Sequence, residues 1–216
     1  MFENIEEIEK KYNLKIDKNR YDENMVLSIF NSLEIREEEY DLNMSFLIGL
    51  YCFYVKTDNT NAKKYYLMAI EKGNDDALNN LGIIYINEKD YENAKKYYLM
   101  AIEKGYVNAI YNLGNLYCIV EKDYENAKKY YLMAIEKGND SAMNNLGTLY
   151  CNVEKDYENA KKYYLMAIEK GSDTAINNIK YIMNDLELYI CLNEIINKNE
   201  LIENEIKRLR DIKKFK

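Results

Sequence analysis

The side chains able to do chemistry here are few, and their spacing argues against catalysis. Histidine is absent, which removes the commonest general base and metal ligand. Four cysteines remain, Cys52, Cys118, Cys151 and Cys191. None forms a Cys-x-x-Cys pair, so no structural zinc site, and no metal site at all, is expected. The carboxylate pair Glu38-Glu39 reads as solvated charge. No phosphate-binding loop or dinucleotide fingerprint is present, so no cofactor is expected. What does recur is a set of asparagines, tyrosines and apolar residues at helical spacing, whose chemistry is recognition by hydrogen bonds and amphipathic contact.

The elements that position them come from a repeat. The string NAKKYYLMAIEKG occurs four times without change, at 61–73, 93–105, 126–138 and 159–171. Offsets of 32, 33 and 33 residues are those of stacked helical hairpins, each with an apolar face that only a neighbour can cover. In the second copy a helix A is predicted over 76–87 and a helix B over 91–104. Ala77, Leu81 and Tyr85 share one face of helix A, and Ala94, Tyr98, Ala101 and Ile102 one face of helix B. Gly82 sits mid-helix, where it costs about 1 kcal/mol against alanine. Its recurrence as Gly49, Gly114 and Gly147 points to close approach of the facing helix. Asp90, Asp123 and Asp156 stand where an N-cap belongs. Gly73, Gly105, Gly138 and Gly171 stand where a left-handed C-cap belongs.

The run NAIYNLGNLYCIVEKDYENAKKYYLMAIEKG (108–138) resembles a tetratricopeptide repeat. Its marks are Leu-Gly-x-x-Tyr in helix A, Asp-Tyr opening helix B, and the spaced Ala127, Tyr131 and Ala134. The junction Gly105–Ala109–Leu113-Gly114 is similar to the Sel-like repeat, which joins hairpins through glycine. The resemblance covers residues 43–183. It implies a right-handed, all-α solenoid of stacked antiparallel hairpins that binds proteins or peptides without catalysis. Repeat two has one residue fewer between its mid-helix glycine and helix B than the others. The difference is assigned to the A–B turn, where it should alter the local pitch.

The expected layout is an N-terminal helical cap over 1–36, four repeats over 37–171, a divergent closing hairpin over 172–198 and a basic amphipathic helix over 199–216. The cap holds helices over 2–12 and 24–33. The last helix places Ile202, Ile206, Leu209 and Phe215 on one face. Lys180 replaces the glycine in the closing hairpin.

Composition bounds the role. The chain has 216 residues and a net charge of −7, which argues against binding nucleic acid as its main task. Residues 207–216 alone carry +5, leaving −12 on the rest. Lysine, asparagine, isoleucine and tyrosine are abundant, as codon bias in an AT-rich genome would produce. No apolar stretch approaches the roughly 20 residues of a membrane span. The N-terminus lacks the apolar core of a signal peptide, and unpaired thiols fit the cytoplasm.

Two surfaces repeat. By the helical wheel, the helix A face turned away from helix B carries Phe46, Leu50 and Phe53; Asn79, Ile83 and Ile86; Tyr111, Asn115 and Cys118; Asn144, Thr148 and Cys151; and Asn177, Tyr181 and Asn184. In related solenoids this face lines a concave groove. None of these residues is charged, so acidic C-terminal peptides are not the expected ligand. Phe46, Leu50 and Phe53 fit cover by the N-terminal segment. The binding set is therefore Asn79, Ile83, Ile86, Tyr111, Asn115, Cys118, Asn144, Thr148, Cys151, Asn177 and Tyr181, and the partner a protein or peptide. The second surface is the convex Leu/Met stripe, Leu67-Met68 and its copies 99–100, 132–133 and 165–166. Packing between hairpins explains it. A self-associating scaffold through the stripe, or a tether through the basic C-terminal helix, are the alternative functions.

Overall fold

The computed structural model of the protein describes residues 3–12, 16, 23–31, 42–194 and 200–214. The pair Glu38-Glu39, Leu33 and Phe215 lie outside them. The described residues form α-helices and π-helical turns, with no strand. Two compact units divide the chain, 1–106 and 107–216.

The first unit holds α1 (Ile5–Tyr12), α2 (Glu23–Asn31), α3 (Leu42–Tyr51), α4 (Asn59–Glu71), α5 (Ala77–Asn87) and α6 (Tyr91–Glu103). Repeats one and two are the hairpins α3/α4 and α5/α6, and α4 packs on both α3 and α5. The second unit holds α7 (Val107–Asn115), α8 (Tyr124–Glu136), α9 (Ser141–Leu149), α10 (Tyr157–Glu169), α11 (Asp173–Ile179), α12 (Asp185–Glu194) and α13 (Glu200–Lys214). Here α7/α8 and α9/α10 are repeats three and four, and α8 packs on both α7 and α9.

The mid-helix glycines explain the hairpin. A Cβ on Gly49 or Gly82 would lie 2.5 Å from the ring of Tyr66 or Tyr98. On Gly114 or Gly147 it would lie 2.8 Å from Tyr131 or Tyr164. The second tyrosine of each YY pair therefore lies flat on helix A, in the space of a missing side chain. These four rings are at most 2% exposed, and the helix B alanines Ala62, Ala94, Ala127 and Ala160 are fully buried. Full burial of such a side chain contributes about 2 kcal/mol. The first tyrosine of the pair accounts for the rest of Leu-Gly-x-x-Tyr. Tyr85 stacks on Tyr97 at 5.4 Å, Tyr117 on Tyr130 at 5.4 Å and Tyr150 on Tyr163 at 5.6 Å. Such pairs add roughly 1 kcal/mol beyond area.

The expected caps are in place. Asp90, Asp123 and Asp156 accept from the backbone N–H groups of Asn93, Asn126 and Asn159. Asp58 does the same for Asn61, a cap the sequence reading did not single out. The closing glycines have φ between 87° and 91°, a conformation open to glycine.

The extra residue of repeats one, three and four is not in the A–B turn, and this corrects the sequence expectation. It is taken up inside helix A, which ends in a π-helical turn at Cys52–Lys56, Leu116–Glu121 and Tyr150–Glu154. Helix α5 of repeat two stays α-helical to Asn87. The turn itself is constant. A left-handed residue, Thr57, Lys89, Lys122 or Lys155, immediately precedes each N-cap aspartate. The N–H of Asp58, Asp123 or Asp156 reaches back to the carbonyl of Cys52, Tyr117 or Tyr150, whereas that of Asp90 reaches Tyr85, one residue nearer in sequence. A π-turn takes up one extra residue within the helix.

Among the described residues, helices from both terminal segments pack into the cores of their units. Phe46 and Leu50 are buried in one core with Ile5, Ile8, Ile16, Val26, Ile29 and Phe30, and Phe53 packs against it. The N-terminal segment thus covers them. Helix α13 buries Ile202, Ile206 and Leu209 in the core of the second unit with Leu188 and Leu192. Lys180 pairs with Glu205 at 2.9 Å, and Arg208 pairs with Glu205 at 2.7 Å and Asp185 at 3.7 Å. Burial disfavours the charged Glu205, but hydrogen bonds from Arg208 and Lys180 outweigh it and hold the carboxyl below its ordinary range. These charges join α13 to Lys180 and Asp185 of the second unit.

Candidate binding site on the helix A face

Apart from Asn79, the helix A face of the first unit is apolar. Asn79, Ile83 and Ile86 are half-buried on α5. The Tyr66 hydroxyl beneath this type of face is fully buried; the Asn80 amide is its polar neighbour, yet no hydrogen bond satisfies the oxygen. Burial pushes that phenol well above its usual pKa, and pushes the Cys52 thiol up to about 11. A thiol held protonated in this way is a poor nucleophile.

In the second unit the same face is polar and knitted across hairpins. Tyr131 Oη donates to Asn115 Oδ1 at 2.8 Å. Asn145 Nδ2 donates to Asn115 Oδ1 at 2.9 Å and to Tyr111 Oη at 3.0 Å. Asn178 Nδ2 donates to Asn144 Oδ1 at 2.9 Å, joining α11 to α9. Tyr164 Oη donates to Thr148 Oγ1 at 3.2 Å, and that hydroxyl donates to the Asn144 carbonyl at 3.0 Å. Amides and phenols satisfy one another here at about 1 kcal/mol each.

Of the predicted residues, this network brings together Tyr111, Asn115, Asn144 and Thr148. Cys118 and Cys151 are half-buried in the π-turns, where their thiols neighbour the Tyr131 and Tyr164 hydroxyls. Asn177 is exposed on α11. Tyr181 leaves the face: α11 ends at Ile179, and Tyr181 stands in the following turn, 87% exposed. Asn145 and Asn178 were missed. Their signal was the doubled asparagine, Asn144-Asn145 and Asn177-Asn178, of which the helical wheel kept only the first.

The convex positions Leu67, Met68, Leu165 and Met166 pack against the cores of their units as partly buried residues, while Leu99 is 38% exposed. Among the described residues, no helix is long and apolar enough to cross a membrane.

Comparison with known proteins agrees with this architecture. The Sel1 repeat model matches residues 43–74, 107–139 and 140–172, and a tetratricopeptide repeat model matches 75–103. No curated protein matches the chain. Among solved structures it is similar to a Sel1 repeat protein from Oxalobacter formigenes, with 25% identity, a TM-score of 0.54, and coverage of 80% of this chain and 72% of that one. It is similar in fold to a protective antigen of uropathogenic Escherichia coli displaying an SLR fold, with 23% identity, a TM-score of 0.58 and 78% of this chain covered. The chain spans only 38% of that antigen's length. PilF of Pseudomonas aeruginosa has the same fold at 17% identity, with a TM-score of 0.54 over 80% of this chain and 76% of its own. The repeat models together span more than half of the chain, and its hairpins are all-α solenoid units, so it belongs to the tetratricopeptide and Sel1-like repeat family of helical-hairpin proteins.

Proposed function

We propose that this protein is a non-catalytic adaptor of the cytoplasm that grips an extended, largely uncharged protein segment on the helix A face of its second unit. The observation that carries the reading is the uncharged ladder itself. Helices α7 and α9 hold no Lys, Arg, Asp or Glu, yet they present half-exposed tyrosine, asparagine and threonine side chains in series. Tyrosine and asparagine offer contact area and adaptable hydrogen bonds at small entropic cost. Members of such repeat families typically act in protein–protein interaction. The four free cysteines fit a reducing compartment.

A photo-crosslinking side chain placed at Thr148, or at Leu132 on helix B, tests the assignment in host lysate. A specific adduct formed from Thr148 and not from Leu132 supports the helix A face. An adduct formed only from Leu132 moves the function to the convex side and sinks the reading.

A further inference from the structure

The ladder can be counted donor by donor. Asn115 Oδ1 accepts from Tyr131 Oη at 2.8 Å and from Asn145 Nδ2 at 2.9 Å, which fills both of its lone pairs. Tyr111 Oη accepts from the same Asn145 amide at 3.0 Å. Three hydrogens are left over, two on Asn115 Nδ2 and one on Tyr111 Oη, with no partner among the described residues. Tyr111 and Asn115 stand four residues apart on α7, hence on one side of it, and both are half-exposed. Asn145 orients them together by holding both oxygens from behind. The corner therefore offers hydrogens and has spent its acceptors.

A donor-only corner takes an oxygen acceptor. The charge of that acceptor is set by the surroundings. No cation lies on α7, α9 or α11, and Lys180, just beyond α11, is paired with Glu205. A carboxylate bound here would give up water without gaining a counter-charge, a heavy cost. A neutral carbonyl gives up far less.

We propose that Tyr111 and Asn115 form a neutral carbonyl-binding corner, which takes an amide carbonyl of the bound polypeptide segment and discriminates against a carboxylate. The inference rests on the reading of the helix A face as the protein-binding surface, and gives that surface its chemistry.

The test uses the full chain, labelled with nitrogen-15, and two small probes: N,N-dimethylacetamide, which has a carbonyl and no N–H, and acetate. Backbone amides of α7 report binding. The expected result is a saturable shift with dimethylacetamide and at least about tenfold weaker binding of acetate, whose charge must be dehydrated without a counter-charge. Asn115→Asp keeps an oxygen for Tyr131 and Asn145 but removes two of the three free hydrogens and puts a carboxylate in the corner, so a folded variant should lose at least about tenfold in its response to dimethylacetamide. Tyr111→Phe should weaken it about tenfold and serves if Asn115→Asp fails to fold. No saturable shift, acetate binding as tightly as the amide, or an undiminished response in a folded variant would each overturn the proposal. A Thr148 cross-link without a probe response sinks the carbonyl corner alone. A probe response without that cross-link sinks the assignment of the face and leaves the corner's chemistry standing.

Discussion

The hairpins of the two units share one helix B and differ in helix A. Residues 61–73, 93–105, 126–138 and 159–171 are identical, so the same tyrosine lies on the same glycine in each hairpin. The position after that glycine is Leu50 or Ile83 in the first unit and Asn115 or Thr148 in the second. In the second unit the tyrosine hydroxyl finds Asn115 or Thr148. In the first, Tyr66 finds nothing. The position after the glycine thus separates Tyr66, a buried phenol without a hydrogen bond, from Tyr131 and Tyr164, the roots of a polar ladder. A constant frame carries a variable face, as expected of a binding module.

The contrast can be broken most severely at the glycines. A Cβ at Gly82 would sit 2.5 Å from the Tyr98 ring, against 2.8 Å between Gly114 and Tyr131. Overpacking of this kind costs roughly 1–3 kcal/mol. Gly82→Ala should fall at the upper end and Gly114→Ala below it. Denaturant melts of the two variants check the order, and equal losses would show that the first-unit hairpin relaxes freely.

The tyrosines sharpen the contrast, because the same substitution should have opposite signs. Tyr66→Phe removes a buried hydroxyl that has no partner, and should be neutral or stabilise by up to about 1 kcal/mol. Tyr131→Phe deprives Asn115 of a donor, and should destabilise by about 1 kcal/mol. Paired chemical melts decide this. Destabilisation by both would mean that Tyr66 is satisfied after all.

The smallest effect concerns what the units share. Hydrogen bonds from the Asn93 side chain and backbone N–H hold the Asp90 carboxyl below its ordinary range, and the Asn159 backbone and side chain do so for Asp156. A depressed folded-state pKa stabilises above the unfolded value, about 3.9, and the contribution is lost as pH falls through the folded value. Melting temperature should therefore decline below about pH 4. Asp90→Asn and Asp156→Asn, which keep a capping side chain without the titration, should each make the decline shallower and by similar amounts.

Much of this was legible in the sequence because the repeat supplies its own controls. Gly82 is costly in a helix, and its return at 49, 114 and 147 could only mean close contact. The caps followed from residue type and position. The π-turns did not, since a residue count between Gly114 and Ala127 does not say where the surplus residue goes. The constant spacing from Asp58, Asp90, Asp123 and Asp156 to Ala62, Ala94, Ala127 and Ala160 would have placed it upstream of the N-cap. The candidate face was half legible. The helical wheel found Tyr111, Asn115, Asn144 and Thr148, but it extended α11 past Ile179 and so misplaced Tyr181. It kept only the first of each asparagine pair and so missed Asn145 and Asn178, which reach across hairpins to build the ladder.

The most direct test sets one unit against the other with a partner isolated through the Thr148 cross-link. Its affinity is measured for the unmodified chain, for Asn144→Lys on the second-unit ladder and for Ile83→Lys on the first-unit face, with melting temperatures confirming that each variant folds. The account predicts that Asn144→Lys weakens binding by about a hundredfold, in the range of an interface hot spot, while Ile83→Lys changes it little. Equal affinity of the unmodified chain and a folded Asn144→Lys variant would contradict the account and take the binding site off the ladder.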